Sequence, residues 1–451
     1  MLSKIKGKMM IVLMPMCLVS TLAGCGKGAD RPAQPSANPP AGMGVQEAQK
    51  IADKPSEVTI TYPATGEKTD LLIERYGNQI QKKFPNYRLK YIPRVAAEGT
   101  NYYASVLANK EPIDILIASL PTTSIFLTNL KLENDISDLI KKYNYDLSKL
   151  EPSLVDIQRK IAGGGIYGLP STVGNIVFLY NKALFDKFGV PYPKDGMTWD
   201  DIYDLARRMT RTEDGREYKG IVFEFDQLMD RNQLSAPYFE EKTYKAMFME
   251  DHFIRAFDNL ARFYKIPGNG LPNNKYSSPI NLFTDSQTAA MFMGPSGHVR
   301  AAAQKIPDWN AVSVPVFKDK PGVGFQSTPE YFYITSTSKE RDAAFQVLAY
   351  IASDEFQEWM GRSLALMPGM KNTDRIMQSF GAELPGFQGK NVKSLVPPKN
   401  AAMAVPTPFT ITGNTEMQKA ISEYSSGNDV NTVLREAAER ADKQIAATSG
   451  K

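Results

Sequence analysis

The chain has 451 residues, of which 42% are hydrophobic and 23% charged, and its formal net charge at neutral pH is +4. This charge gives no electrostatic basis for binding nucleic acid, and the length is sufficient for two or three domains. The two cysteines, Cys17 and Cys25, both lie near the N-terminus. The remaining chain must therefore be stabilised by burial of apolar side chains and not by disulfides.

Residues 1–24 have the pattern of an export signal. Three lysines precede a short apolar segment at 9–19, which is too short for a comfortable membrane span, and small residues lead up to Cys25. This junction resembles a bacterial lipoprotein box, whose cysteine is acylated and becomes the first residue. An ordinary signal peptide with an incidental cysteine is the alternative. We expect a lipid anchor on the extracytoplasmic face of the cell membrane.

Residues 25–55 are predicted to form a disordered tether after the acylated cysteine, because Pro, Gly, Ala, Ser, Asn and Gln dominate them and leave little to bury. Alternating strands and helices follow. The apolar periodicity predicts a strand at 58–62, a helix at 70–84, a strand at 89–92, a helix at 102–107 and a strand at 113–118. This order indicates a parallel sheet with helical crossovers.

In such a sheet, ligands lie beyond the carboxyl ends of the strands. Residues 62–66 and 119–124 are therefore predicted at the rim of a cleft, although both could be ordinary strand-to-helix connections. Further along, the apolar run at 176–180 predicts a strand buried on both faces. A short helix at 182–188 can end at Gly189 in the left-handed conformation, and Thr198 with Asp201 can cap the next helix.

Several segments of this region carry a family resemblance. GIYGLP at 165–170, LYNKALFDKFGV at 179–190 and TWDDIYDLARRMT at 198–210 resemble the extracellular solute-binding proteins of ABC importers, in particular the large sugar-binding family. DSQTAAMFMGP at 285–295, KERDAAFQVLAYIASDEFQEW at 339–359 and LMP at 366–368 resemble further segments of the same family. The resemblance covers nearly all of the chain from Glu57 onward.

The resemblance implies an α/β protein with the type II periplasmic-binding-protein fold, in which a hinge joins two Rossmann-like lobes. Lobe I would comprise residues 56–172 and 326–371, and lobe II residues 173–325 and 372–451. The chain would cross between lobes near Thr172, Gln326 and Asn372. Because the open and closed states of such a protein differ little in energy, a ligand can shift their populations.

The family's cleft residues, carried over position by position, lie on loops after the first and third strands, before the strand at 176–180 and in lobe II. The candidate ligand-binding residues are Tyr62, Thr65, Ser119, Gly174, Asn175, Tyr238, Ser296, His298, Arg300, Trp309, Glu330, Tyr331 and Phe409. Sugars are held by aromatic faces and by planar or charged hydrogen-bonding groups. Trp309 and Tyr331 could equally belong to the core.

The chain departs from the family at positions that select the ligand. Ser296-Gly297-His298 stands where the family frequently has Trp, and Ala118 and Gly174 replace a Trp and an acidic residue of the maltose-binding members. These losses of stacking and acidic groups argue against a maltodextrin. A different oligosaccharide remains the expected solute.

The resemblance therefore implies a monomeric substrate-binding lipoprotein that captures a carbohydrate and delivers it to ABC permease subunits served by a separate ATPase. No cofactor, metal or catalytic residue is expected, since His252 and His298 are not spaced for metal ligation and the glycines at 163–165 lack the Lys of a phosphate-binding loop. The alternatives are a peptide, a polyamine or a chelated metal as ligand. A carbohydrate-active enzyme is a weaker alternative.

Overall fold

The computed structural model describes residues 45–63, 69–93, 100–371 and 373–449. The predicted signal segment, Cys25 and Thr65 lie outside these ranges. The strands are β1 (Ser56–Thr61), β2 (Tyr87–Ile92), β3 (Ile115–Ser119), β4 (Gly168–Gly174), β5 (Ile176–Asn181), β6 (Arg211–Glu213), β7 (Arg216–Phe223), β8 (Ala289–Pro295), β9 (Trp309–Val312), β10 (Val323–Gly324), β11 (Thr328–Ile334) and β12 (Lys399–Asn400).

The helices are α1 (Val45–Ala52), α2 (Thr69–Leu72), α3 (Asn78–Lys83), α4 (Thr100–Ala108), α5 (Leu120–Thr123), α6 (Ser137–Lys142), α7 (Pro152–Ile161), α8 (Lys182–Phe188), α9 (Trp199–Met209), α10 (Phe225–Asp230), α11 (Asp251–Ala261), α12 (Ile280–Thr284), α13 (Val299–Lys305), α14 (Arg341–Ile351), α15 (Asp354–Leu364), α16 (Asp374–Gln378), α17 (Thr410–Ser425) and α18 (Val430–Ser449). A π-helical turn at Ile73–Gly77 joins α2 to α3, so the helix predicted at 70–84 is present as one continuous unit.

The first lobe is built on a five-stranded sheet with the order β2-β1-β3-β11-β4. β1 runs parallel to β2 and β3, as the strand–helix alternation predicts, and β11 runs antiparallel to β3 and β4. Helices α14 and α15 contribute to the core on one face, where Phe345 and Phe356 pack with Val58 and Ile60. The carboxyl ends of β1 and β3 consequently lie at the same edge.

The second lobe has a five-stranded sheet with the order β6-β7-β8-β5-β9. Every residue of β5 is buried, which confirms the prediction of a strand covered on both faces. Gly189 ends α8 in the left-handed conformation, and Thr198 and Asp201 form a capping box at the start of α9. Trp199 lies in the core against Phe223 and Phe263.

Strand pairing fixes where the chain passes between the two sheets. β4 stays paired with β11 through Gly174, and β5 is paired with β8 from Ile176, so the strand pairing places the first crossing at Asn175, three residues after Thr172. The second crossing lies between β10 and β11, at residues 325–327. A cluster of buried residues, among them Val173, Leu179 and Met367, packs along these crossings.

The prediction of a disordered tether at 25–55 is wrong for residues 45–52. Residues 45–52 form α1, which contacts α14 of the first lobe, and Ala52 packs against the core of that lobe. Ile51 and Ala52 are half-buried in α1, and the overall polar composition of the segment conceals this apolar face.

Candidate functional site: the interlobe cleft

The register of the strands brings the carboxyl edges of both sheets to the first crossing. Glu330 of β11 lies opposite Ser119 at the end of β3, and Thr328 lies opposite Gly174 at the end of β4. In the second lobe, Ile176 at the start of β5 lies opposite Pro295 at the end of β8. Since ligands of α/β sheets bind at carboxyl edges, this junction is the candidate site.

Asn175, the residue at the crossing, is hydrogen-bonded to the second lobe. Its main-chain N–H donates to Ser296 Oγ (3.3 Å), and its carbonyl oxygen accepts from the Ser296 N–H (2.8 Å). The side-chain Nδ2 donates to the Leu395 carbonyl (3.3 Å), and the side chain lines a cavity of about 610 Å³ that follows the crossings past Ser327 and Met367. Asn175 therefore belongs to the hinge as much as to the cleft.

Glu330 is a buried acid that accepts several hydrogen bonds at the carboxyl edge of the first lobe's sheet. Its side chain is 6% exposed, and both carboxylate oxygens are engaged. The Tyr62 hydroxyl donates to one oxygen, while the Tyr76 hydroxyl and Ser171 Oγ (3.1 Å) donate to the other. Burial, reinforced by the Glu330 charge, raises the pKa of Tyr76 well above its ordinary value, so Tyr76 remains a donor. Glu330 thus holds Tyr62 at the cleft edge.

The second lobe presents buried acids at its edge. Glu224 follows β7 directly, and Asp226 accepts a hydrogen bond from the Tyr276 hydroxyl (2.7 Å). Burial, with a further contribution from the Asp226 charge, raises the pKa of Glu224 to about 7. His298 Nε2 lies 3.7 Å from Glu224 Oε1, and burial followed by the Arg231 charge lowers the pKa of His298.

Arg231 reaches the cleft from the end of α10. Its carbonyl oxygen accepts from the Gln326 N–H (2.8 Å) at the second crossing, and its Nη2 donates to Gln227 Oε1 (2.9 Å). A Cβ on Gly174 would lie 3.8 Å from Arg231 Nη1. Burial raises the pKa of the neighbouring Asp230 to about 6.

Two pockets open between the lobes. The first, which we call the crossing pocket, has a volume of about 50 Å³ and is lined by Leu120 and Pro121 from the first lobe, Asp230 and Arg231 from the second, and the segment 403–407. The second, of about 110 Å³, lies between α2 of the first lobe and Ser296, Gly297 and Arg300 of the second.

Sequence reasoning missed Glu224, Asp230 and Arg231, because it did not identify β7. The apolar run Ile221-Val222-Phe223 after Gly220 is the signal that marks this strand, and the missed residues follow its carboxyl end.

The structure brings most of the candidate residues to the junction. Tyr62, Ser119, Gly174, Asn175, Tyr238, Ser296, His298, Arg300 and Glu330 all lie on the two carboxyl edges or line the pockets between them. The Tyr238 ring is held from one side, since its hydroxyl donates to the Asp226 carbonyl (2.9 Å) and Asn414 Oδ1 (3.0 Å). Phe409 packs instead beside Tyr244 and Phe239.

Trp309 and Tyr331 are not brought to the cleft. Both side chains are fully buried. Trp309 Nε1 donates to the Gly386 carbonyl (2.9 Å), and the Tyr331 hydroxyl donates to the Leu154 carbonyl (2.8 Å). Because their polar groups are bound to main chain and their rings are enclosed, they leave no surface for a ligand. The packing interpretation of both residues fits the structure.

Among the described residues, no group of three or more His, Cys, Asp and Glu side chains is arranged to hold a metal ion. No helix in the described ranges is both long enough and apolar enough to cross a membrane.

Two α/β lobes joined by chain crossings, with a polar cleft between their carboxyl edges, define a two-lobed binding protein. Residues 63–358 match the bacterial extracellular solute-binding protein family, and the chain belongs to this family. Its relatives are substrate-binding proteins, so the predicted class of protein is confirmed, as is the prediction that it is not an enzyme.

Two relatives of Bacillus subtilis (strain 168) bind oligosaccharides, as their names state. The chain is 27% identical to an arabinooligosaccharide-binding protein over 168 residues, which is 36% of this chain and 37% of that protein. It is 22% identical to a galactooligosaccharide-binding protein over 65% of this chain and 70% of that protein. The first alignment therefore spans little more than a third of the relative's length.

Among solved structures, a sugar transporter of Rhizobium etli in an open conformation superposes with a TM-score of 0.68. The superposition covers 86% of this chain and 99% of that one, at 20% sequence identity. The likeness confirms the two-lobed fold.

Proposed function

We propose that the protein is the substrate-binding component of an ABC importer and that it captures an extracellular oligosaccharide in the interlobe cleft. The observation that carries this proposal is the meeting of both carboxyl edges at Asn175, where strand register places polar groups of two lobes around one cleft. The oligosaccharide specificities named for the Bacillus subtilis relatives support the ligand class.

The chemistry of the cleft suits a polyhydroxylated solute. Arg231 and Glu224 supply guanidinium and carboxyl groups, which are the usual partners of sugar hydroxyls. A solute that contacts both lobes shifts the population toward the closed state. The size of this shift is set by how much more tightly the solute binds the closed state than the open state. The loaded, monomeric protein then delivers the solute to membrane permease subunits that work with a separate ATPase.

A binding experiment tests this function. The chain from Cys25 to Lys451, carrying Cys25→Ser, is melted in the presence of neutral and acidic oligosaccharides. A specific ligand at a hundredfold excess over its Kd stabilises the fold by about 2.7 kcal/mol, which is readily detected as a rise in Tm. Chromatography of the mixture should recover the oligosaccharide intact. Consumption of the sugar, or stabilisation by a peptide, a polyamine or ferric ion instead, would contradict the proposal.

We further propose that Cys25 carries the lipid anchor that holds the protein at the outer face of the cell membrane. The small residues before Cys25 and the basic, apolar segment that precedes them support this assignment. Cys25→Ala should move the protein from the membrane fraction to the medium, because two acyl chains supply most of the membrane affinity. Unchanged membrane retention of the variant would refute the assignment.

A further inference from the structure

The crossing pocket is lined by two charged side chains from the end of α10, Asp230 and Arg231. Both residues are half-buried. Leu120 and Pro121 of the first lobe also line the pocket. A group that fills this pocket can therefore contact both lobes.

The carboxyl group of Asp230 has no hydrogen-bond or ion-pair partner among the described residues. Asp226, on the same helix, differs in this respect, because it accepts from the Tyr276 hydroxyl (2.7 Å) and from Gln227 Nε2 (3.2 Å). A partly buried carboxyl group that lacks such partners destabilises the fold. The acceptor oxygens of Asp230 are thus open to a ligand.

Arg231 has a donor that the fold does not use. Its Nη2 donates to Gln227 Oε1 (2.9 Å), and its main-chain carbonyl accepts from the Gln326 N–H (2.8 Å), so two contacts hold the residue in place. Its Nε is buried and has no hydrogen-bond partner among the described residues. Since buried polar groups are nearly always hydrogen-bonded, this donor indicates a position for a further acceptor.

The two unused groups call for a ligand that both donates and accepts hydrogen bonds. An ionised carboxyl group only accepts them, and a guanidinium group only donates them. A hydroxyl group does both, whereas a carboxylate cannot donate to Asp230 and an ammonium group cannot accept from Arg231. The crossing pocket therefore favours the hydroxyl groups of a neutral solute over anionic or cationic groups.

The size and the walls of the pocket limit what can enter it. A volume of about 50 Å³ accommodates a few groups the size of a water molecule, which corresponds to the hydroxyl-bearing edge of one sugar unit and not to a whole ring. Pro237, Val405 and Pro406 provide apolar wall, against which the C–H groups of that unit can pack.

We infer that Asp230 and Arg231 bind adjacent hydroxyl groups of one sugar unit and so select neutral oligosaccharides against acidic and amino-sugar oligosaccharides. This inference rests on the proposed function and names the residues of the cleft that determine specificity. Solute binding supplies both side chains with hydrogen bonds that the fold leaves unmade. Such bonds to charged groups are about twice as strong as bonds between neutral groups.

Isothermal titration with a set of trisaccharides tests this selection. The probes are the neutral trisaccharides of arabinose, galactose, xylose and glucose, together with the galacturonate and glucosamine trisaccharides. At least one neutral probe should bind with a Kd at least about tenfold lower than both charged probes. Asp230→Asn and Arg231→Gln should each weaken binding of that neutral probe about tenfold or more, because each removes a charge-assisted hydrogen bond.

Asp204→Asn and Arg207→Gln are the matched controls, since both residues are exposed on α9 of the same lobe. Each control should change the affinity by less than about twofold. The Tm without ligand distinguishes a binding role from a structural one. Asp230→Asn removes a charge that the fold leaves unpaired, so its Tm should equal or exceed that of the natural chain, whereas loss of a structural contact would lower it.

Monodeoxy analogues of the neutral trisaccharide that binds identify the contacted hydroxyl groups. One analogue should bind the natural chain about tenfold more weakly than the parent sugar, and should bind Asp230→Asn within about twofold of the parent. This coupling indicates direct contact, because a residue that acts through the fold would weaken binding of the parent and of every analogue alike.

Tighter binding of the galacturonate or glucosamine trisaccharide would overturn the inference. Neutral binding that neither Asp230→Asn nor Arg231→Gln weakens would also overturn it, as would equal losses for every analogue in both proteins. These results leave the proposed function intact. Failure of every trisaccharide to bind would remove the proposed function and the inference with it.

Discussion

Glu224→Gln should change how the stability of the protein depends on pH. Glu224 is 14% exposed, and burial, followed by the charge of Asp226, raises its pKa from 4.5 to about 7. In this pH interval the folded chain holds a proton on Glu224 that the unfolded chain has lost. The free energy of unfolding therefore falls as pH rises from about 4.5 to about 7. Glutamine does not titrate, so the Glu224→Gln variant should not show this fall.

The size of the effect follows from the two pKa values. Each pH unit between about 4.5 and about 7 lowers the free energy of unfolding by about 1.4 kcal/mol, so the complete decrease is about 3 kcal/mol. The free energy of unfolding of Glu224→Gln, relative to that of the natural chain, should therefore rise by about 3 kcal/mol between pH 4 and pH 8. Other titrating groups contribute to both proteins and cancel in this difference.

Urea unfolding followed by tryptophan fluorescence at a series of pH values measures this difference. Glu217→Gln is the matched control, because Glu217 lies exposed on β7, the strand that precedes Glu224, and its stability profile should match that of the natural chain. Parallel stability profiles for Glu224→Gln and the natural chain would refute the reasoning. They would mean that Glu224 is ionised in the fold and compensated by a partner.

Two further substitutions probe the edges of the cleft. Glu330→Ala leaves the buried hydroxyls around it, including that of Tyr76, without their acceptor, and should lower the free energy of unfolding in urea by about 3–5 kcal/mol. The control is Glu355→Ala at an exposed position, which should lower the free energy of unfolding by less than about 1 kcal/mol. Equal losses in the two variants would contradict the role assigned to Glu330. Gly413→Ala places a methyl group 2.2 Å from the Tyr238 ring, so it should lower the free energy of unfolding by about 1–3 kcal/mol and weaken oligosaccharide binding in a titration. Unchanged affinity would show that Tyr238 is not part of the site.

Local patterns were sufficient to predict the elements that frame the site. The buried run of β5 and the capping box of Thr198 and Asp201 each depend on residues adjacent in sequence, and both are present as predicted. α1 was missed because its four apolar residues are diluted in a polar segment. Its helix is stabilised by a distant partner, α14, which a local pattern does not reveal.

The site was harder to predict, because it depends on contacts between distant segments. Tyr331 and Trp309 have the aromatic character of sugar-stacking residues, but strand pairing turns both into the core. Arg231 gains its position from the second crossing, almost a hundred residues further along the chain, through its bond to Gln326. Residue type alone does not distinguish a buried aromatic ring from one that faces a cleft.

Different segments of the chain form the sheets and complete the pockets, which explains why the fold is easier to identify than the solute. The family match covers residues 63–358, which supply the second sheet, every strand of the first sheet except β1, and the first two crossings. Both pockets between the lobes are completed by later segments, 364–366 in the pocket of about 110 Å³ and 403–407 in the crossing pocket. Substitutions in these two segments can alter the pockets without disturbing the paired strands, so a change of solute requires no change in the hinge around Asn175.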